Sequence, residues 1–252
     1  MEFKELHYQS NALLVANVWD VFSAQLAAKS GYSAIGTSSA AIAKSRGVED
    51  GENIPFSELV SLAKNIITQT SLPLTVDIEA GYSREPQEII DNIVALARVG
   101  VVGINIEDSV VEEKRLLKDP IEFSELVSRI KQTLSELDLP IFINVRTDTF
   151  LIPVEEPLAE TLKRIRLYEE SGADGMFIPC IVEESDIISV VSTTGLPVNV
   201  MCMPSLPHFQ KLNEIGVKRI SMGNFIFENM YSHFEKSLVR IKEEKSFQSI
   251  FQ

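Results

Sequence analysis

Short apolar runs, most of them rich in β-branched residues, recur along the chain with stretches of helical periodicity between them. Eight stand out: ALLVAN at 12–17, SAIGT at 33–37, LPLTVD at 72–77, VGINIE at 102–107, PIFINVR at 140–146, DGMFIP at 174–179, LPVNV at 196–200 and KRISMG at 218–223. The intervening segments, such as DVFSAQLAAKSG and EPQEIIDNIVALARVG, carry apolar residues at helical spacing. Ser57, Pro86, Ser124 and Pro157 supply cap or first-turn signals for these helices. Gly31, Gly100, Gly172 and Gly216 each close a helical stretch two or three residues before a strand. The rhythm of helix, glycine and strand is that of a repeated βα unit. Eight such strands in about 240 residues fit an α/β fold of the (β/α)₈ TIM-type barrel class better than a doubly wound sheet. The expectation is one barrel domain over 1–252, with a helical tail at about 225–252 that retains Phe247, Ile250 and Phe251 and so offers apolar surface to a partner subunit or to its own barrel.

Composition sharpens this picture mainly by exclusion. The 252 residues are 45% hydrophobic, enough to fill one large core, and the formal net charge is −13 with a pI of about 4.8. Such acidity argues against a nucleic-acid partner or an anionic membrane surface. No apolar run approaches the roughly 18 residues a membrane span needs, and no leader pattern opens the chain, so a cytoplasmic location is expected. Cys180 and Cys202 form no CxxC pair, which points to reduced thiols rather than to a disulfide or zinc site.

Strand parity then picks out the chemistry. In a barrel, alternate residues face the interior, so with Leu74, Val76 and Ile78 turned to the helices, Thr75, Asp77 and Glu79 point inward. By the same rule Asn105 and Glu107 face inward on the fourth strand, and Asn144 and Arg146 on the fifth. Three carboxylates and a guanidinium therefore meet at the C-terminal mouth, where barrel enzymes place their reactions. Like charges in a cleft are costly unless a cation sits among them, and an all-oxygen set favours Mg²⁺, with Mn²⁺ as the alternative. Asp77 is the expected direct metal ligand, with Glu79 and Glu107 holding metal-bound water.

Four segments in order, VDIEAGYS, GVVGINIEDS, INVRTDTF and YEESGADGMFIP, resemble the isocitrate lyase and phosphoenolpyruvate mutase (phosphonomutase) superfamily over nearly the whole chain, from NVWDVFSA to SMGNFIF. The resemblance implies an α/β barrel whose C-terminal helix is exchanged between subunits of a homo-oligomer, a tetramer or dimer. It further implies Mg²⁺ and a small-molecule carboxylate substrate of the 2-oxo or 2-hydroxy class. Matched position by position, Asp77 and Glu79 fall on the family's metal pair and Glu107 on its metal-water carboxylate. Asp50 falls on the acid of the loop after strand two. Thr37, Ser38 and Ser39 correspond to the turn that binds the substrate carboxylate, Arg146 to the arginine that neutralises the developing enolate oxygen. Asn199 corresponds to a substrate-binding asparagine, two positions off the family spacing.

One segment departs from that pattern. The lyases carry a K-R-C-G-H loop after strand four, whereas this chain has EDSVVEEKRLLKDP, without the acid-base cysteine and without the asparagine of the mutase loop. Lys114 and Arg115 offer cations that would close over an anionic substrate, but in the exposed EEKR run the favoured reading is a solvated charged turn. Three functions follow as alternatives: a Mg²⁺-dependent lyase or decarboxylase acting through a pyruvate-like enolate, a phosphorus–carbon mutase or hydrolase using the same metal site, and a ligand-binding barrel without catalysis. A Schiff-base aldolase would require a lysine at a strand end, and strand six ends instead in Pro179 and Cys180.

Overall fold

A computed structural model describes residues 2–251; Met1 and Gln252, the two ends of the expected domain and tail, lie outside it. Strand β1 consists of two segments, Leu13–Leu14 and Ala16–Val18, joined through Val15. It is followed by β2 (Ile35–Thr37), β3 (Leu74–Asp77), β4 (Gly103–Glu107), β5 (Phe142–Arg146), β6 (Gly175–Phe177), β7 (Val198–Met201) and β8 (Arg219–Ser221). All neighbours are parallel and in chain order. The first segment of β1 pairs with β8 (Leu13↔Arg219, Leu14↔Ile220) and the second with β2 (Ala16↔Ile35, Val18↔Thr37), so one strand closes the cylinder. This is the expected (β/α)₈ barrel. Its edges are paired, which leaves no ladder open at that point.

Helices α1 (Val21–Lys29), α2 (Ser39–Ser45), α3 (Phe56–Gln69), α4 (Pro86–Arg98), α5 (Pro120–Glu136), α6 (Pro157–Glu170), α7 (Glu184–Thr193) and α8 (Phe209–Ile215) fill the crossovers, and α9 (Phe225–Glu244) follows β8. Pro86 and Pro157 occupy the first helical positions as expected. Asp20 caps α1 in a capping box with Ser23. Ser57 and Ser124 are not caps: α3 starts at Phe56 behind Pro55, and α5 starts four residues before Ser124, capped by Asp119. Gly31, Gly100, Gly172 and Gly216 all have positive φ, which ends each helix where a side chain would be strained.

The main core lies between barrel and helices. Ile104, Ile106, Ile143, Val145 and Met176 are fully buried there against Ile66, Ile93, Ile130, Ile165 and Val190, each worth about 2 kcal/mol of transfer free energy. A second cluster, Phe3, Leu13, Val15, Ala34 and Phe142, plugs the floor of the barrel. His7 stacks on Phe142 at 4.2 Å, and burial lowers its pKa to about 3. A Cβ at Gly103 would stand 2.8 Å from the Phe3 ring, and one at Gly175 would stand 2.9 Å from that of Phe142, so glycine makes room for the plug.

Above the plug, the carboxamide of Asn144 donates to Asn105 (2.9 Å) and to Asn199 (3.1 Å). Strands β5 and β7 are not neighbours, so the second bond crosses the interior and fixes the inward parity of these strands. Two residues further along, that parity delivers Glu107 and Arg146 to the C-terminal mouth.

Helix α9 docks through Phe227, edge-to-face on Trp19 at 5.1 Å, and leaves Phe234, Leu238 and Val239 about half exposed. It ends at Lys245 in a left-handed turn, and Phe247, Ile250 and Phe251 beyond it are exposed. No helix among the described residues is long and apolar enough to cross a membrane.

Candidate active site

The turn after β3 is built to hold acid groups in place. Asp77 donates its backbone N–H to the Thr37 hydroxyl (2.8 Å), and its carboxylate accepts from the Ser39 hydroxyl (3.1 Å). The chain then turns sharply, with Glu79 (φ 51°), Gly81 (φ 109°) and Tyr82 (φ 60°) in the left-handed region. Gly81 is required at its place, since a Cβ would lie 2.6 Å from Ile89. Glu79 is only 4% exposed, and both its oxygens lie 2.9 Å from the backbone N–H of Glu52, on the same loop as Asp50. Glu52 in turn accepts from the Tyr82 backbone N–H (2.5 Å), binding the loops after β2 and β3 together.

At the ends of β4 and β5 the charges close into a ring. Arg146 reaches Glu107 Oε2 through Nη1 (3.1 Å, without hydrogen-bond alignment) and Asp148 Oδ1 through Nε (2.6 Å). Arg115 Nη1 donates to Glu107 Oε1 and to Asp148 Oδ2, the latter at 3.1 Å. Each carboxylate thus gives one oxygen to each arginine. Ser109 donates to Asp148 Oδ2 at 2.5 Å, and the Asp148 backbone N–H donates to Asp108. Asp108 is anchored from α6 by Arg164 and by the Tyr168 hydroxyl, both at 2.9 Å.

Outside this ring, anionic charge is uncompensated. Among the described residues neither Asp77 nor Glu79 has an ion-pair partner within 4.0 Å, and Asp50 meets only Arg115, at 4.0 Å. Burial raises the Asp77 pKa, opposed by Arg146 and reinforced by Asp50. Burial and then the charges of Asp50 and Asp77 push Glu79 up to about 8. Glu107 rises to about 7, again through burial, with Arg146 opposing. Arg146 is itself buried, yet Glu107, Asp148 and Asp77 hold its guanidinium firmly protonated.

The residue set fits a hard divalent cation. Asp50 Oδ1 and Glu107 Oε2 are buried oxygens without a hydrogen-bond partner among the described residues, and the donors at the mouth are oxygens throughout. No three Asp, Glu, His or Cys side chains of the described residues come together closely enough to ligate one ion between them. An ion at this mouth would therefore take only one or two carboxylates directly and keep several waters.

The mouth therefore brings together Thr37, Ser39, Asp50, Asp77, Glu79, Glu107 and Arg146, as expected from the sequence. Ser38 flanks it with its hydroxyl turned to the α2 cap, accepting from Ala41 N–H (3.3 Å). Asn199 lies deeper, 1% exposed inside the barrel, where its carboxamide bonds Val200, Ser221 and Asn144. One participant, Asp148, was missed and a second, Arg115, was read as solvated. Asp148 continues the inward parity of Arg146 one step past the strand, a signal present in INVRTD. Arg115 is not on a solvated turn: residues Ser109–Val111 and Arg115–Leu117 pair as an antiparallel hairpin that carries its guanidinium inward, with Lys114 left exposed. A cavity of about 730 Å³ opens at the opposite end of the barrel beside Phe3, Lys131 and Asp174 and takes no part in this cluster.

Known proteins resemble this chain in sequence and in fold. The chain is 34% identical over 224 residues to an uncharacterized protein of Mycobacterium tuberculosis, covering 89% of this chain and 82% of that one. It is 28% identical over 223 residues to the oxaloacetate decarboxylase of Pseudomonas syringae pv. tomato, covering 86% and 75%. A crystal structure of a Burkholderia cenocepacia protein, provisionally named a phosphonomutase, superposes with a TM-score of 0.88 at 34% identity, over 94% of this chain and 97% of that one. Residues 3–242 match the family model described as phosphoenolpyruvate phosphomutase. With that match running from the barrel floor through most of α9, and with the acidic mouth between, the chain belongs to the phosphoenolpyruvate phosphomutase family.

Proposed function

We propose that the protein is a Mg²⁺-dependent carbon–carbon lyase or decarboxylase that acts on a small 2-oxo or 2-hydroxy carboxylate through a pyruvate-like enolate. The observation that carries this reading is the pair of carboxylates, partly buried Asp77 and buried Glu79, lacking ion-pair partners among the described residues and lying beside the arginine-bearing ring. Asp77 would hold the ion directly, with Glu79, Glu107 and Asp50 around its water shell. When bound, Mg²⁺ supplies Lewis-acid polarisation of the substrate carboxylate and its adjacent oxygen. Of Thr37, Ser38 and Ser39, the Thr37 and Ser38 hydroxyl hydrogens and the Ser39 backbone N–H would serve that carboxylate, since the Ser39 hydroxyl is given to Asp77 and the Ser38 N–H to the Val18 carbonyl. Arg146, fixed by Glu107 and Asp148, presents a preorganised cation to the oxygen on which enolate charge grows, and a donor of this kind contributes about 3 kcal/mol to the rate. The ring keeps Arg146 from rotating away, so orientation is set before substrate arrives.

The similarity to an oxaloacetate decarboxylase supports the decarboxylase form of this reading. The similarity to a phosphonomutase supports a second reading, phosphorus–carbon bond chemistry at the same site. A panel of 2-oxo and 2-hydroxy acids, assayed for released pyruvate, glyoxylate and CO₂, tests the first, and phosphorus NMR of phosphonopyruvate tests the second. Turnover lost with EDTA and in Asp77→Ala supports the lyase. Binding of Mg²⁺ and oxalate with no turnover of any candidate leaves the third alternative, a barrel that binds without catalysis. We also propose that α9 packs between subunits of a homo-oligomer, because Phe234, Leu238 and Val239 form an uncovered apolar face; light scattering of wild type and Phe234→Glu checks this, with a monomeric wild type contradicting it.

A further inference from the structure

A guanidinium lies inside the barrel where stability alone would not keep one. Arg219 of β8 is 2% exposed and, among the described residues, has no ion-pair partner within 4.0 Å. Its Nε and Nη1 are buried without a hydrogen-bond partner, and burial lowers its pKa to about 10, with Asp77 opposing. A buried charge with idle donors costs stability. Departures of this kind from the rules of a well-packed interior are expected at functional sites.

The third nitrogen shows what the group does. Arg219 Nη2 reaches across the cylinder from β8 to β4 and donates to Asn105 Oδ1 at 3.4 Å. Asn144 Nδ2 donates to the same oxygen at 2.9 Å. Asn144 can serve either end of that carboxamide by turning over its own, whereas arginine can only donate. Arg219 therefore fixes the sense: Asn105 turns its oxygen to the interior and its NH₂ group away from it. Asn105 stands in register with Asp77 on the neighbouring strand, and both side chains face inward. Its Nδ2 has no partner among the described residues and, unlike the two idle nitrogens of Arg219, is not sealed from solvent. Phe3 and Phe142 plug the floor of the barrel, so solvent reaches that NH₂ group from the mouth. A fixed, neutral donor thus looks out beside Asp77.

We propose that Asn105 is a ligand-contacting residue, whose NH₂ group donates to an oxygen of the acid bound in the mouth, and that Arg219 is the positioning residue that orients it. The inference rests on the function proposed above and names a further contact of that site. Arg219 acts through Asn105 and does not touch the ligand.

The test measures oxalate affinity by calorimetry at saturating Mg²⁺ in wild type, Asn105→Ala, Arg219→Met and the double variant, with a melting curve for each. Asn105→Ala should bind oxalate about tenfold or more weakly, the yield of a hydrogen bond to a charged oxygen, while Mg²⁺ alone binds within about twofold of wild type. Asn105→Asp, which keeps an oxygen for Arg219 and turns the other to the mouth, should be at least as weak, and it stands in if the alanine variant does not fold. Arg219→Met should weaken oxalate about threefold or more, because the carboxamide then presents its NH₂ group only part of the time. It should melt no lower than wild type, since two buried donors no longer go unpaired. The double variant should bind oxalate no more weakly than Asn105→Ala. Wild-type affinity in Asn105→Ala overturns the contact. The positioning role is overturned by Arg219→Met that binds oxalate like wild type, melts lower or does not fold, or by losses that add in the double variant. A wild type that binds no oxalate in the presence of Mg²⁺ overturns the proposed function itself, a distinct result.

Discussion

Glu79→Gln is expected to stabilise the protein at neutral and alkaline pH when divalent ions are removed. The folded-state pKa of Glu79 is raised from 4.5 to about 8, so between those values the folded chain binds a proton that the unfolded chain has released. Stability is therefore greatest below pH 4.5 and declines as the pH rises through about 8. At pH 7 the interval covered is two and a half pH units, about 3 kcal/mol of destabilisation at roughly 1.4 kcal/mol per unit. Glutamine removes the ionisation but keeps only one of the two oxygens that face the Glu52 N–H, at a loss of about 1 kcal/mol. A net gain of about 2 kcal/mol remains, which in a chain of this size is a melting temperature about 5 °C higher. Thermal unfolding in EDTA from pH 5 to 8.5 measures it, and the gain should shrink to nothing or reverse near pH 5. Equal destabilisation of Glu79→Gln at pH 5 and pH 8 would refute the reasoning, because it would mean that folding does not raise the Glu79 pKa and that no proton is taken up there.

His7 has a folded-state pKa lowered to about 3 by burial, so the unfolded chain takes up its proton first as the pH falls below 6.5, and stability drops between pH 6.5 and 3. His7→Phe should flatten that dependence, with the stability difference between the two proteins changing by about 2 kcal/mol from pH 7 to pH 5 in denaturant titrations. Asp108→Ala leaves Arg164, 4% exposed, without its buried carboxylate and should lower stability by about 3 kcal/mol. Gly81→Ala places a methyl 2.6 Å from Ile89 on a backbone with φ 109°, and a loss of about 2 kcal/mol or more in denaturant unfolding is expected, together with weakened Mg²⁺ binding as Glu79 is displaced.

The barrel was legible because period-two and period-3.6 patterns alternate along the chain and the positive-φ glycines mark the joints, as at Gly216 before β8. The acidic mouth was legible for the same reason: inward parity, once set by Asp77, carries across to Glu107 and Arg146 through in-register neighbours such as Glu107↔Arg146. The same parity runs on to Asp148, but Thr147 and Asp148 no longer carry the apolar alternation that marks a strand, which is why Asp148 went unassigned. Parity says still less about a segment such as EEKR, whose charges read as solvent-facing until the hairpin register Val111↔Arg115 aims one of them inward. Asp108 is a third such case, since its partners Arg164 and Tyr168 stand 56 and 60 residues away and no local pattern joins them.

The proposed function requires that the mouth hold one divalent cation on Asp77. Calorimetric titration of Mg²⁺ into chelator-treated wild type and Asp77→Asn tests it most directly. One ion bound per chain is expected in wild type, with binding weakened about tenfold or more in Asp77→Asn. Wild type that takes up no Mg²⁺, or Asp77→Asn that binds it as tightly as wild type, would contradict it.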